Sequence, residues 1–297
     1  MLLQVLTALA LAAPPSDTAV VRDIEVAPGE TLRTTSIGEG EPLVLIPGLF
    51  GAAFGFRAIV APLVARGYRC IVVEPLGYGW SSRPGRADYS FSAQTDRVGE
   101  ALDSLGVGRA LFVAQSSGAS IAFRLAVARP ELVRGLLSID GGPAESAATP
   151  GMRKAFRFGG FVTKLALDES KLRHDVRREI VRNSGDTTWV TASVIQEYTA
   201  AQAADLSGSI DAFRQMSKSK ERESLAARLH EIRGPVRLLL GSVEHPAEVP
   251  QEQRELLRQR VADFAADSVP GSGQYIHEEQ PEAVVAAVDR LHQAAGR

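Results

Sequence analysis

A serine flanked by small residues is the first feature of this chain that could carry chemistry. A run of apolar side chains, typical of a strand, leads into the segment Ala114–Gly118, and a helical pattern follows. A tight strand-to-helix turn of this kind lifts one side chain clear of its neighbours. The residues two before and two after that side chain must then be small. Ala114 and Gly118 meet this requirement around Ser116, whereas Ser117 would place Gln115 where a small residue is needed. Ser116 is therefore the preferred nucleophile.

A serine hydroxyl is a weak nucleophile unless an imidazole takes its proton and a carboxylate orients that imidazole. Three residues that could supply these groups, Asp140, Glu244 and His277, each follow a predicted strand. Ligands of open α/β sheets bind beyond the carboxyl ends of the strands, so we expect these side chains to meet Ser116 there. We predict that His277 is the general base. His245 neighbours Glu244 and is interpreted as a loop residue that could line the site.

The elements that would position these residues are visible as alternating patterns. Short continuous apolar runs predict strands buried on both faces at residues 43–46, 70–73, 110–114, 136–139 and 236–240. A hairpin is predicted at 20–27 and 31–37, and a weaker strand at 267–269. Helical patterns cover residues 58–66, 94–105, 119–128, 225–232, 251–264 and 281–293. This alternation predicts a doubly wound, mostly parallel α/β sheet.

One long segment interrupts the alternation of strands and helices. Between residues 144 and 223 the pattern is helical, with no strand. Because this segment lies between two sheet strands, it predicts a helical cap inserted above the sheet. The predicted core is accordingly made of residues 18–143 and 224–297, and the cap of residues 144–223.

Composition excludes several other classes of protein. The 297 residues carry a formal net charge of −2 without runs of like charge, so no nucleic-acid partner is expected. The single cysteine, Cys70, lies in an apolar run and is predicted to be a buried thiol. No His, Cys, Asp or Glu cluster has the spacing of metal ligands, and we expect neither a metal nor another cofactor.

The N-terminus has the pattern of an export signal. Residues 2–13 are almost wholly apolar, and Ala10 and Ala12 give the small-residue spacing of a cleavage site before Pro14. No lysine or arginine precedes the apolar run, which leaves a cytoplasmic location as the alternative. We predict a signal peptide at residues 1–13 and export of the chain. No segment reaches the length of a membrane span.

Four segments together resemble the α/β-hydrolase fold family. Residues Leu43–Gly51 are similar to the family's oxyanion loop, and Glu74–Ser82 to its Asp-x-x-Gly-x-Gly-x-Ser turn. Pro235–Gly241 resembles the strand that carries the acid, and His277–Glu282 the His-x-x-x-Pro-Glu ending. The resemblance spans nearly everything from Val20 onward. It implies an α/β-hydrolase core with a helical cap.

The resemblance also implies functions for particular residues. The oxyanion hole would be formed by the N–H groups of Leu49 and Ser117, with Phe50 as a weaker alternative. The family usually places an aspartate three residues after the glycine that ends its seventh strand, which here is Glu244. Asp140 is the alternative acid, because some relatives, notably haloalkane dehalogenases, hold their acid after the sixth strand.

Two further positions depart from the family pattern. Pro47 stands where relatives have histidine, although a backbone N–H rather than that side chain supplies the oxyanion contact. Gln115 replaces a histidine or tyrosine before the nucleophile, which alters the floor of the pocket.

The function implied is hydrolysis of a small carboxylic ester through a Ser116–His277–acid triad and an acyl-enzyme. A serine nucleophile argues against epoxide hydrolase and haloalkane dehalogenase chemistry, for which the family uses aspartate. Amidase, peptidase, lactonase and carbon–carbon hydrolase activities use the same triad and stay open. A catalytically weak, ligand-binding homologue is the alternative from another class.

Substrate choice is expected to depend on the cap. An acyl group of modest length or an aromatic ester would fit an apolar segment of the cap, or that segment could simply dock the cap on the core. Its apolar residues are Phe156, Phe158, Phe161, Val162, Leu165 and Leu167.

Overall fold

The computed structural model describes residues 18–147 and 168–296. The predicted signal peptide at residues 1–13 and the apolar cap residues between 156 and 167 lie outside the described residues. Both stay predictions, as do the boundaries of the cap at residues 144 and 223.

Eight strands form one sheet among the described residues, and only β2 runs opposite to the others, antiparallel to both β1 and β4. The spatial order is β1-β2-β4-β3-β5-β6-β7-β8, and every neighbouring pair from β4 onward is parallel. The predicted α/β fold with a mostly parallel sheet is therefore confirmed. The strands are β1 (Val20–Ala27), β2 (Glu30–Ile37), β3 (Glu41–Ile46), β4 (Tyr68–Val73), β5 (Ala110–Gln115), β6 (Val133–Ile139), β7 (Val236–Gly241) and β8 (Phe264–Val269).

Helices cover both faces of the sheet, which explains why the central strands are continuous apolar runs. Along β3, Leu43 and Leu45 enter one hydrophobic cluster, whereas Val44 and Ile46 enter the other. Helices α1 (Arg57–Val64) and α10 (Pro281–Ala295) cover the first face. Helices α2 (Phe91–Ser104), α3 (Ser117–Ala128) and α8 (Gln251–Arg260) cover the second.

Cys70 lies in the first of these clusters and is fully buried. Burial raises the pKa of its thiol to about 12, so the thiol stays protonated at neutral pH. The prediction of a buried structural thiol is confirmed.

Between β6 and β7 the described residues are helical, with no strand. Helices α4 (Glu169–Arg182), α5 (Ala192–Ala204) and α6 (Leu206–Met216) precede the short helix α7 (Leu225–Arg228). Buried side chains of α4 and α5 form a third hydrophobic cluster, against which partly buried residues of the core loops pack. The expected helical insertion between these two strands is therefore present.

Two predicted helices are shorter than expected. The helix predicted for residues 251–264 ends at Arg260, because Val261 is extended and Phe264 already pairs with Val236 in the sheet. The helix predicted for 225–232 becomes α7 and a 3-10 turn at Leu229–Glu231. No helix among the described residues has both the length and the apolar character needed to cross a bilayer.

The end of β3 lies directly against the start of α3, and Gly118 makes this approach possible. A Cβ atom at Gly118 would lie 2.5 Å from the carbonyl oxygen of Pro47 and 2.6 Å from that of Ile46. Real Cβ atoms do not approach oxygen so closely, so a larger residue would push the loop after β3 away from α3.

We expect Gly118→Ala to lower the free energy of unfolding by about 2 kcal/mol, because overpacking outweighs the better helix propensity of alanine. Gly108→Ala is the matched control, since no atom lies within 4 Å of its added Cβ. The control should change stability by less than about 0.5 kcal/mol. Chemical denaturation of the wild type and both variants measures these free energies of unfolding. A Gly118→Ala variant as stable as Gly108→Ala would contradict the close contact at Gly118.

Candidate active site

Ser116 lies in the tight turn between β5 and α3, as the sequence predicts. Its φ of +50° is a rare conformation for a residue other than glycine, and it turns a partly exposed side chain out of the sheet edge. The backbone N–H of Ser116 donates to Ile139 at the end of β6. Asp140, which follows, has the only other positive φ of a non-glycine residue among the described residues. Backbone strain is thus concentrated at the ends of two neighbouring strands.

The side chain that contacts the Ser116 hydroxyl is Gln274. Its Nε2 donates a hydrogen bond of 3.0 Å to Ser116 Oγ, from a loop that follows β8. Gln274 is 7% exposed, and its backbone N–H donates to the carbonyl oxygen of Asn183. A carboxamide does not accept a proton at ordinary pH. If the amide were turned so that Oε1 faced Ser116, the serine would donate to it and still find no base.

His277, the predicted general base, does not contact Ser116. It lies on the short helix α9 (Ile276–Glu279), where its ring packs 5.5 Å from the ring of Phe56 and 6.1 Å from that of Tyr275. Its Nδ1 is buried and makes no hydrogen bond to any described residue. The structure therefore shows no hydrogen bond between Ser116 and His277 that would support the predicted pairing. The loop after β8 presents Gln274 to the serine, and His277 turns into the interior three residues later.

The environment of His277 also disfavours proton transfer. Burial, and secondarily the positive charge of Arg57, lower the pKa of its imidazole to about 3. A base with this pKa binds protons too weakly to assist serine at neutral pH. The imidazole ring of His277 instead packs between the rings of Phe56 and Tyr275.

The two candidate acids lie in different environments. Glu244 is exposed in the loop after β7, and no hydrogen bond or ion pair joins it to Ser116 or His277 in the described part of the chain. Its expected role as the acid behind His277 is therefore not supported by the geometry. Asp140 is 2% exposed at the end of β6, one residue from the backbone contact with Ser116.

The Asp140 side chain lies beside His245, which the sequence predicts to be a loop residue that could line the site. His245 Nε2 lies 3.3 Å from Asp140 Oδ2, and both side chains are buried. Burial is the main cause that raises the pKa of Asp140 to about 8, and burial also lowers the pKa of His245. At neutral pH the pair is therefore mostly a protonated carboxyl beside a neutral imidazole.

The expected oxyanion residues lie beside Ser116. Gly48 donates its N–H to Oε1 of Gln115, and a Cβ at Gly48 would lie 3.2 Å from that of Ser116. This bond fixes the loop that carries the N–H of Leu49. The N–H of Ser117 is at the first turn of α3, where no intrahelical acceptor exists. The oxyanion hole formed by the N–H groups of Leu49 and Ser117 stays a prediction.

Asn183, at the end of α4, is a positioning residue that the sequence did not reveal. Its carbonyl oxygen accepts from Gln274, and its side-chain Oδ1 accepts from Ala247, two residues after His245. One buried residue therefore ties helix α4 to both loops of the site, through its backbone carbonyl and its side chain. Asparagine is common at helix C-termini, so its presence at residue 183 does not by itself predict contacts with the site.

A signal for Gln274 was present in the glycines of two loops. A Cβ at Gly273 would lie 2.3 Å from the Asn183 carbonyl oxygen, and one at Gly241 would lie 2.4 Å from that of Gly273. Glycines that permit such close loop packing mark the residues beside them as candidates for the site. Gln274 directly follows Gly273, whereas His277 is four residues away.

Aromatic side chains surround this edge of the sheet. Phe50, next to Leu49, makes an edge-to-face contact with Phe213 of α6 at 5.5 Å. Tyr275, next to Gln274, lies 5.4 Å from the ring of Trp189. All four side chains are partly exposed, so they offer apolar surface next to the loops that carry Leu49 and Gln274.

The sequence profile of the alpha/beta hydrolase fold family matches residues 41–226, more than half of the chain. With the sheet order and the strand-to-helix turn at Ser116, this match identifies the class of protein. The chain belongs to the alpha/beta hydrolase fold family, and its relatives include enzymes that hydrolyse small molecules.

Relatives within this family catalyse different reactions. Over 259 residues the chain is 27% identical to haloalkane dehalogenase 2 of Mycobacterium bovis, covering 84% of this chain and 87% of that protein. Over 144 residues it is 32% identical to 2-hydroxymuconate semialdehyde hydrolase of Pseudomonas sp. (strain CF600), covering 47% of this chain and only 50% of that relative. The structure of an alpha/beta hydrolase fold protein from Burkholderia ambifaria superposes with a TM-score of 0.74 at 24% identity. The superposition covers 91% of this chain and 99% of that protein. The fold is thus shared, while the reaction must be argued from the site.

Replacing His277 by phenylalanine tests whether this residue is a base or a core aromatic. The pKa of His277 is about 3 in the folded protein and 6.5 in the unfolded chain. As the pH falls below 6.5, the unfolded chain therefore binds a proton that the folded chain does not bind, and the folded state loses stability. The free energy of unfolding of the wild type should therefore be about 2 kcal/mol lower at pH 5 than at pH 8 because of this residue. His277→Phe should lack this contribution. Thermal melts of both proteins between these pH values measure this difference.

The same variant also reports on reactivity at the serine. We expect His277→Phe to react with a fluorophosphonate probe at the wild-type rate, because the phenyl ring keeps the contacts with Phe56 and Tyr275. A large loss of labelling in a variant that melts normally would restore His277 as the base.

Proposed function

We propose that this protein binds small carbonyl-containing ligands, such as esters, at Ser116 and transfers their acyl group to Ser116 only slowly. The observation that carries the proposal is the hydrogen bond from Gln274 Nε2 to Ser116 Oγ. It occupies the direction from which a base would approach the hydroxyl. The proposal thus favours the weak, ligand-binding homologue over an efficient esterase with a Ser116–His277–acid triad.

Binding is supported by the parts of the site that are retained. The N–H groups of Leu49 and Ser117 lie on the loop after β3 and at the start of α3, two segments held together by the close approach at Gly118. Tyr78 also donates a hydrogen bond of 3.3 Å to Ser117 Oγ, which orders the start of the helix. Donors fixed in this way can polarise a carbonyl group whether or not a reaction follows.

Slow chemistry follows from the missing proton acceptor. General base catalysis contributes about 10²–10⁴-fold in rate, and a serine without it is a poor nucleophile. When a triad is disabled, the oxyanion hole and substrate binding alone still raise the reaction rate about 10³–10⁴-fold over the rate in water. We therefore expect measurable acyl transfer to Ser116, at a rate far below that of an efficient esterase.

The ligand class is inferred from the side chains around the serine. Phe50, Phe213, Trp189 and Tyr275 offer partly exposed aromatic surface, which suits an aromatic ester or a short acyl chain. Dehalogenation, as in the relative from Mycobacterium bovis, is not proposed, because Ser116 takes the place of the carboxylate nucleophile that the family uses for it.

Labelling by a fluorophosphonate probe tests the proposal. The wild type should be labelled slowly and completely, because the probe's reactivity compensates for the weak nucleophile. Ser116→Ala should not be labelled, and Ser117→Ala, its neighbour on the same turn, should keep a measurable rate. Mass spectrometry of the intact protein over time gives both the rate and the stoichiometry.

Two outcomes would contradict this function. Rapid turnover of phenyl acetate, with a kcat above about 10 s⁻¹ as in a typical enzyme, would show that Ser116 is fully activated. Labelling that is unaffected in Ser116→Ala would show that the serine is not the reacting group.

A further inference from the structure

A cavity of about 460 Å³ opens at the edge of the sheet opposite to Ser116. Ser116 follows the carboxyl end of β5, whereas this cavity lies at the amino ends of β5, β6 and β7. A six-residue strand spans about 20 Å, so the cavity is remote from the serine. Its lining residues are Arg109, Arg134, Arg233, Gly234, Pro235, Arg237, Asp263, Ala294 and Ala295.

The backbone around this cavity is fixed by contacts between neighbouring strands. Ala110, at the start of β5, donates its N–H to the carbonyl oxygen of Leu132 at 2.8 Å, just ahead of β6. A Cβ at Gly234 would lie 2.5 Å from the carbonyl oxygen of Arg134, so the segment before β7 packs tightly against β6. The arginines of the cavity are therefore carried by the sheet and its tightly packed ends, which suits a binding site.

Two of the four arginines are held in place by carboxylates. Arg134 forms an ion pair with Glu41 at the start of β3, and Arg237 Nη1 donates to Asp263 Oδ1 at 2.8 Å. Arg237 Nη1 also donates to the carbonyl oxygens of Val236 and Asp263. The side chains of Arg134 and Arg237 are each 20% exposed. Both guanidinium groups are thus ordered before a ligand arrives, which lowers the entropic cost of binding.

The other two arginines, Arg109 and Arg233, are exposed, and neither forms an ion pair with a residue of the described ranges. Since Glu41 and Asp263 balance the first pair of arginines, the cavity keeps an excess of two positive charges within the part of the chain that the structure describes. The C-terminal end of α10 also lines the cavity, and its helix dipole offsets only about half of one charge. Positive charges gathered in one cavity repel each other, so the cavity favours an anion.

We propose that this cavity binds the phosphate group of a small phosphorylated molecule. A phosphate monoester carries a charge of about −1.5 to −2 at pH 7, which matches the excess positive charge of the cavity. A guanidinium group can donate two parallel hydrogen bonds to phosphate oxygens, so four arginines suit this ligand. The volume lies within the range of about 300–1,000 Å³ for small-molecule sites. The apolar side chains of Pro235, Ala294 and Ala295 can contact the rest of the molecule.

Calorimetric titration with phenyl phosphate at constant ionic strength tests the proposal, at about pH 7.5, where the phosphate is mainly a dianion. The wild type should bind one equivalent saturably. The double variant Arg109→Gln/Arg233→Gln should bind at least tenfold more weakly, because it removes both arginines that are not paired with a carboxylate of the described residues. Inorganic phosphate is titrated in parallel. Weaker binding of inorganic phosphate would support a phosphate ester as the ligand, and equal binding would support the same site with free phosphate as the ligand.

Arg86→Gln/Arg177→Gln provides the matched control, because both arginines are exposed and the net charge changes by the same amount. It should bind phenyl phosphate as tightly as the wild type. Thermal melts accompany each variant, and the single variants Arg109→Gln and Arg233→Gln keep the test valid if the double variant fails to fold. A wild type without saturable binding, or equal affinities of the double variant and its control, would overturn the proposal. Neither result bears on labelling at Ser116, which tests the proposed function separately.

Discussion

The hydrogen bond between Gln274 and Ser116 determines what this site can do. The turn at Ser116 is strained, and the Gln115 side chain fixes the neighbouring loop after β3 through the N–H of Gly48. The neighbour of the Ser116 hydroxyl, however, is an amide that donates a hydrogen bond and cannot take up a proton. The same geometry therefore favours binding of a carbonyl group and slows the step that should follow it.

Close packing of loops at one sheet edge brings the site together. Gly118, Gly141, Gly241 and Gly273 each place backbone where a Cβ would collide with another loop. Asn183 links this edge to helix α4 through hydrogen bonds to the loops that follow β7 and β8. Because these contacts are made by backbone, the side chains they display can change without loss of the fold.

Much of the fold was predictable because strands buried on both faces leave continuous apolar runs. Ser116 was predictable as well, since sterics at the turn demand small residues at 114 and 118. The partner of Ser116 was not, because it depends on the path of the loop after β8. His277 was chosen for its chemistry, yet the short helix α9 turns its ring toward Phe56. Likewise, the burial of His245 against Asp140 depends on contacts between loops far apart in the chain.

Exchange of the amide for an imidazole tests the central claim most directly. Gln274→His places a base of similar size at the position that now donates to Ser116 Oγ. The second-order rate of fluorophosphonate labelling should then rise by about 100-fold over the wild type. Gln274→Asn, which removes the contact without adding a base, should not produce this gain. A folded Gln274→His variant that labels no faster than the wild type would contradict the account.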